Sequence, residues 1–208
     1  MILRNTLAQI AGDSAYGHAL FYHYPGGLRF ELSAGGSPLD QVLTALRKAT
    51  SICDDIFDGD AQILVHLRKK SWDSSPFALR STLRELDLAG IHIPADHEAW
   101  IVVEDGVTED DFAERSYTIN CVFNIPTAKL QNLLWCAFAS DFAPLSPNPK
   151  CRIYLAEPRK GVIVHPYDDR GMDIVGCGHA CLQTLHVKHG QWLSDYDKAT
   201  MRRTFSAS

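Results

Sequence analysis

The sequence is short of long apolar runs, of basic charge and of the familiar catalytic loops. No stretch approaches the roughly 20 consecutive apolar residues that a membrane-crossing helix needs, so no membrane partner is expected. Lys and Arg number 20 against 25 Asp and Glu, a formal net charge of −5. Nonspecific nucleic-acid binding draws on a basic field that displaces counterions. The small group Lys198, Arg202 and Arg203 does not supply one, so no nucleic-acid partner is expected either. Gly26-Gly27 and Gly35-Gly36 lack the residues that surround a phosphate or dinucleotide loop. There is no G-x-S-x-G nucleophile elbow. Asp54, Asp55, Asp58 and Asp60 lack the spacing and terminal glutamate of a calcium loop. No segment repeats, and none is of low complexity.

The N-terminal residues lack the long apolar region and small-residue cleavage site of a signal peptide. The expectation is a cytoplasmic protein whose six cysteines are reduced thiols. Cys177-Gly-His-Ala-Cys181, with His186 and His189 downstream, offers the thiolate and imidazole that zinc prefers. A second paired knuckle is missing, and cysteines four apart on a helix more often pack as small apolar residues. No metal and no cofactor are therefore expected.

What is present is an ordinary globular composition, 46% hydrophobic and 22% charged. Folding a chain of this length removes roughly 70% of its surface from water, enough for a core without disulfides. Apolar residues recur at helical spacing over 2–11, from Pro38 to Phe57, over 76–88, over 128–142 and in two segments after residue 178. Alternating or short apolar runs mark strands at 28–32, 61–67, 100–103, 117–123, 152–156, 161–165 and 172–175. Adjacent strands in the second half predict hairpins. The fold class is therefore α+β: one mixed, largely antiparallel sheet packed with five or six helices, with residues 1–208 as a single domain. Pro144 to Pro149 is too short to separate two units.

The most unusual passage is Tyr167-Asp-Asp-Arg-Gly-Met-Asp173. Three carboxylates and a guanidinium could form a polar site, with Arg170 clamping an anion or Asp168, Asp169 and Asp173 gripping a cation or a partner's basic side chain. The competing reading is a hairpin turn whose carboxylates bond local amides. In Trp192-Leu-Ser-Asp-Tyr-Asp197, Asp195 or Asp197 could cap the last helix. An acidic stretch, Glu104, Asp105, Glu109, Asp110, Asp111 and Glu114, lies between two strand candidates.

With Phe21-Tyr-His-Tyr-Pro-Gly-Gly-Leu-Arg-Phe-Glu-Leu32, those two passages resemble a bacterial family known as domain of unknown function 3885. The likeness spans about residues 20 to 205. His165-Pro166 before the second passage and Ser194 in the third depart from the family's pattern. The resemblance implies a small single-domain bacterial protein and supplies no reaction.

From the residues themselves, the expectation is a non-enzymatic protein-binding protein. It would be an immunity protein neutralising a basic toxin domain through Tyr167, Asp168, Asp169, Arg170, Asp173, Glu109, Asp110, Asp111 and Glu114. Such an inhibitor needs electrostatic complementarity and no catalytic constellation. The alternative is a small hydrolase or transferase using Asp168, Arg170 and Asp173. A third is a module whose motifs only stabilise its fold.

Overall fold

Ser37 caps the longest helix: its hydroxyl accepts from the Asp40 amide while the Asp40 carboxylate accepts from the Ser37 amide, and Pro38 takes the first helical position. Val42, Ala45, Ala49, Ile52, Cys53 and Ile56 then fall on one buried stripe.

The computed structural model describes residues 2–12, 19–72, 76–104 and 116–205. Its helices are α1 (Ile2–Ala11), α2 (Leu20–His23), α3 (Pro38–Ile56), α4 (Arg80–Leu88), α5 (Leu130–Phe138), α6 (His179–Lys188) and α7 (Lys198–Phe205). Its strands are β1 (Leu28–Glu31), β2 (Gln62–Ser71), β3 (His97–Glu104), β4 (Ser116–Pro126), β5 (Arg152–Glu157), β6 (Val162–Asp168) and β7 (Gly171–Gly176). The fold is α+β, with one seven-stranded sheet in the order β1-β7-β6-β5-β2-β4-β3. Every strand pair in it is antiparallel. Strands from both sides of Pro144–Pro149 join this sheet. No described helix is long and apolar enough to cross a membrane.

One face carries the main core. Phe30, Val65, Phe123, Leu155, Val164 and Ile174 meet the stripes of α3, α5 and α6 there. Each such side chain contributes on the order of 1.5–3 kcal/mol by leaving water. The other face has a smaller core, where Leu7 and Ile10 of α1 and Leu20 of α2 cover Leu64, Val122, Ala156, Ile163 and Val175.

Beside that smaller core runs a row of polar and aromatic side chains. His66 faces Tyr154, His165 faces Asp173, and Asp173 faces Arg29 in the strand registers. Tyr154 stacks on His165 at 4.2 Å, which closes the row across five strands. At its other end Trp100 stacks on His66. His66 also hydrogen-bonds Asn120 at 3.0 Å.

Burial pushes the His66 imidazole down to about 4 from its ordinary 6.5. A depressed folded value means His66 contributes stability above pH 6.5 and loses it as pH falls towards about 4. The unfolding free energy should decline across that window. His66→Gln, which keeps a partner for Asn120, should flatten the decline in denaturant titrations at stepped pH.

Candidate functional site

The three motif passages meet at the β1 edge of the sheet. Arg29, on β1, makes a two-pronged ion pair with Asp173 on β7, Nε to Oδ1 at 2.8 Å and Nη2 to Oδ2 at 2.9 Å. The Asp173 carboxylate also accepts from the Phe21 amide at 3.1 Å. Arg29 Nη1 reaches Asp197 at 3.5 Å, and the Tyr22 hydroxyl donates to the same carboxylate at 3.2 Å. The rings of Phe21, Tyr22 and Tyr167 surround the guanidinium, at 5.2, 4.5 and 5.7 Å from its carbon. This is a cation held between two carboxylates and three aromatic faces, an arrangement strengthened by exclusion of water. Its partners hold the Arg29 proton more firmly than usual, the Asp173 hydrogen bonds first among the causes.

The turn between β6 and β7 is built on its own carboxylates. Asp168 accepts from the Arg170 amide at 2.8 Å and from Arg170 Nε at 3.0 Å, with a further bond from Nη2. Asp169 accepts from the Ser33 hydroxyl at 2.9 Å. Burial pushes the Asp169 carboxyl up. Burial raises the Tyr167 phenol well above the usual tyrosine range as well.

Two expectations are corrected by this geometry. Asp168, Asp169 and Asp173 are buried, so they present no acidic surface to a partner. Nor do Asp168, Arg170 and Asp173 converge as an acid–base set, because Asp168 is spent on Arg170 and Asp173 on Arg29. Asp197 likewise turns its carboxylate to Tyr22 and Arg29. Glu109, Asp110, Asp111 and Glu114 lie outside the described residues.

Arg170 is the exposed member of the turn, its side chain 70% accessible. Its ion-pair partner Asp168 is buried, so the pair is exposed on one side only. Arg170→Ala leaves that carboxylate, among the described residues, with the amide of residue 170 alone, and should cost about 1–3 kcal/mol in a denaturant titration. A cleft of about 450 Å³ opens beside it, with Phe30, Glu31, Ser33, Tyr167 and Ser194 in its walls. All three passages thus contribute to one cavity.

A second surface was not singled out by the sequence. β3 ends the sheet, and among the described residues no strand pairs with its outer edge. It is eight residues long, and Ile101 and Val103 are each about half exposed, at 50% and 52%. Beside it, under α4, lies an apolar pocket of about 170 Å³ with Leu67, Leu83, Ile93, Ile119 and Cys121 in its wall. Ala99 of β3, itself exposed, belongs to that wall. The signal was present as the run Trp100-Ile-Val-Val103, but a short apolar run does not tell a central strand from an edge.

All six cysteines are free thiols. Among the described residues no three His, Cys, Asp or Glu side chains gather as a metal ion would need.

No curated protein and no solved structure matches the chain. One family model does, over residues 3–197, a span that takes in the Arg29–Asp173–Asp197 cluster, the Arg170 cleft and β3 alike. The chain belongs to the family described as domain of unknown function DUF3885.

Proposed function

We propose that the chain is a non-enzymatic protein-binding protein that occupies a basic partner, as an immunity protein occupies its cognate bacterial toxin. One observation carries this reading: the exposed apolar strand β3 runs directly into the acidic stretch of the sequence. Residues 96–114 hold Asp96, Glu98, Glu104, Asp105, Glu109, Asp110, Asp111 and Glu114, with no Lys or Arg. Exposed branched side chains on a sheet edge are a liability that proteins otherwise blunt with charge, proline or a covering element. A docking surface gives them a use. The carboxylates would steer a basic partner and speed its approach.

The test is coexpression with the product of the adjacent reading frame, followed by association kinetics at rising salt. A complex is expected whose association rate falls steeply with ionic strength. Reversing Glu109, Asp110, Asp111 and Glu114 to Lys should slow association by about tenfold or more with folding intact. Absence of a complex, or an association rate indifferent to salt and to the reversal, would sink the reading.

A small hydrolase or transferase has one observation in its favour, the cleft that all three passages line. In that reading Arg170 is an anion clamp at its mouth, and no acid–base pair comes from Asp168 and Asp173. An activity abolished by Arg170→Ala in protein that still folds would support it.

A further inference from the structure

We infer that the cleft beside Arg170 binds a small zwitterion, a molecule with one carboxylate and one primary amine, the carboxylate on Arg170 and the amine on Glu31. The inference stands apart from the protein-binding reading, which concerns the other edge of the sheet. It shares only the Arg170 clamp with the second reading and needs no turnover.

The cleft holds about 450 Å³, inside the range of ~300–1,000 Å³ usual for small-ligand pockets. Two charged side chains stand in its wall, Arg170 and Glu31, and both are exposed. The backbone keeps them neighbours: Glu31 faces Gly171 in the strand register, and the Leu32 amide donates to the Arg170 carbonyl at 2.8 Å. Among the described residues they do not pair with each other. Arg170 goes to Asp168 and Asp141 instead, and the Glu31 carboxylate makes no ion pair there.

Arg170 is held so that half of its fork remains. Nε and Nη2 donate to the buried Asp168, which uses one edge of the guanidinium. The other edge, Nη1 with the second Nη2 hydrogen, is a two-donor fork of the kind that grips a carboxylate. Asp141 comes no nearer to Nη2 than 3.7 Å, beyond hydrogen-bond reach. A ligand carboxylate can make shorter bonds at the same edge.

The rest of the wall is disposed to accept. Ser33 spends its hydroxyl proton on Asp169 at 2.9 Å, which leaves its oxygen as an acceptor. Gln41 is tied by Nε2 to the Gly36 carbonyl at 2.9 Å, which leaves its amide oxygen. Lys48 bonds the main-chain carbonyl of Glu31 at 3.1 Å, not its carboxylate. Ser194, fixed by its amide on the Arg29 carbonyl at 2.9 Å, adds a hydroxyl. An alkylammonium carries three donors and no acceptor, which suits such a set. The cleft thus has a donor end and an acceptor end.

Charge then selects the occupant. A plain anion on Arg170 has Glu31 and Asp141 close by, and a plain amine leaves the open edge of Arg170 unmet. Discrimination of this kind comes from the group left unpaired in the wrong ligand. A molecule that carries both charges leaves neither.

The experiment titrates the full chain with straight ω-amino acids, from glycine to 6-aminohexanoate, and follows its amide shifts. The alkyl carboxylate and the alkylamine of each length serve as controls. One length should bind best and shift the amides of Ser33, Arg170 and Ser194. The matching carboxylate and amine should each bind about tenfold or more weaker, the scale of one lost charge-assisted bond. Glu31→Gln should reduce the amino acid to the level of the plain carboxylate and leave that carboxylate no weaker. Arg170→Lys, which keeps the charge and loses the fork, should weaken amino acid and carboxylate alike and spare the amine. Asp141→Asn should tighten both carboxylate-bearing ligands. The amide spectrum of each variant checks that it is folded. Failure of every length to shift these amides, equal binding of the three ligand types, or a Glu31→Gln loss as large for the plain carboxylate would overturn the inference. None of those outcomes touches the protein-binding reading, which falls only with the coexpressed complex.

Discussion

Arg29→Met should cost the fold roughly 3–5 kcal/mol, the usual consequence of breaking a buried ion pair from one side. The reason lies in Asp173, whose side chain is fully buried. With the guanidinium gone, its carboxylate keeps, among the described residues, the Phe21 amide alone. The charge cannot move to water without pulling β7 from the sheet. The change also releases Asp197 and removes the cation that Phe21, Tyr22 and Tyr167 surround. Removing the other partner as well, in Arg29→Met with Asp173→Leu, should recover much of the loss, because no uncompensated charge remains. It should not recover all, since the Phe21 amide is then unpaired, a cost of about 1–3 kcal/mol. Denaturant unfolding of the two single variants and the double gives the coupling directly. A single-variant loss under about 1 kcal/mol would mean that the pair is not what holds β1 to β7.

Gly171→Ala is expected to fall at the top of the ~1–3 kcal/mol range for overpacking. The Tyr167 ring lies directly over Gly171, and a methyl there would overlap its hydroxyl and ring carbons. Tyr167 cannot easily yield, because its other side faces Arg29. A displaced ring would open the wall it shares with the cleft. Combining Gly171→Ala with Tyr167→Ala should therefore be less damaging than the sum of the two, read as thermal midpoints and amide shifts of Arg29 and Asp173. Additive losses would show that the ring and the glycine do not constrain each other.

Much of the secondary structure could be read from the chain because its signals are local. Pro38, Asp40 and the stripe from Val42 to Ile56 specify α3 without outside help. The alternation of Leu28-Arg-Phe-Glu31 specifies β1. What could not be read was pairing across distance. Arg29 looked like the polar half of an alternating strand and gave no sign that its partner stood at 173. Asp197 had the spacing of a helix cap, yet a buried cation attracts a carboxylate more strongly than an exposed amide does. The acidity of the 168–173 passage suggested a surface, whereas the turn folds its carboxylates inward onto Arg170, Ser33 and Arg29. The four-residue α2 has too few positions to show a period.

The order of strands also sets an order of events. β1 is made early but pairs with β7, its Arg29 meeting a carboxylate 144 residues further on. At ribosomal rates of 5–20 residues per second, about 7–30 s separate the synthesis of the two. Throughout that interval Leu28 and Phe30, which end fully buried, have no strand to join. β2 and β4 by contrast lie adjacent in the sheet and close in the chain, so they can associate while the ribosome is still working. β1 therefore waits for β7, and the strand that comes first in chain order is sealed by one made well after it.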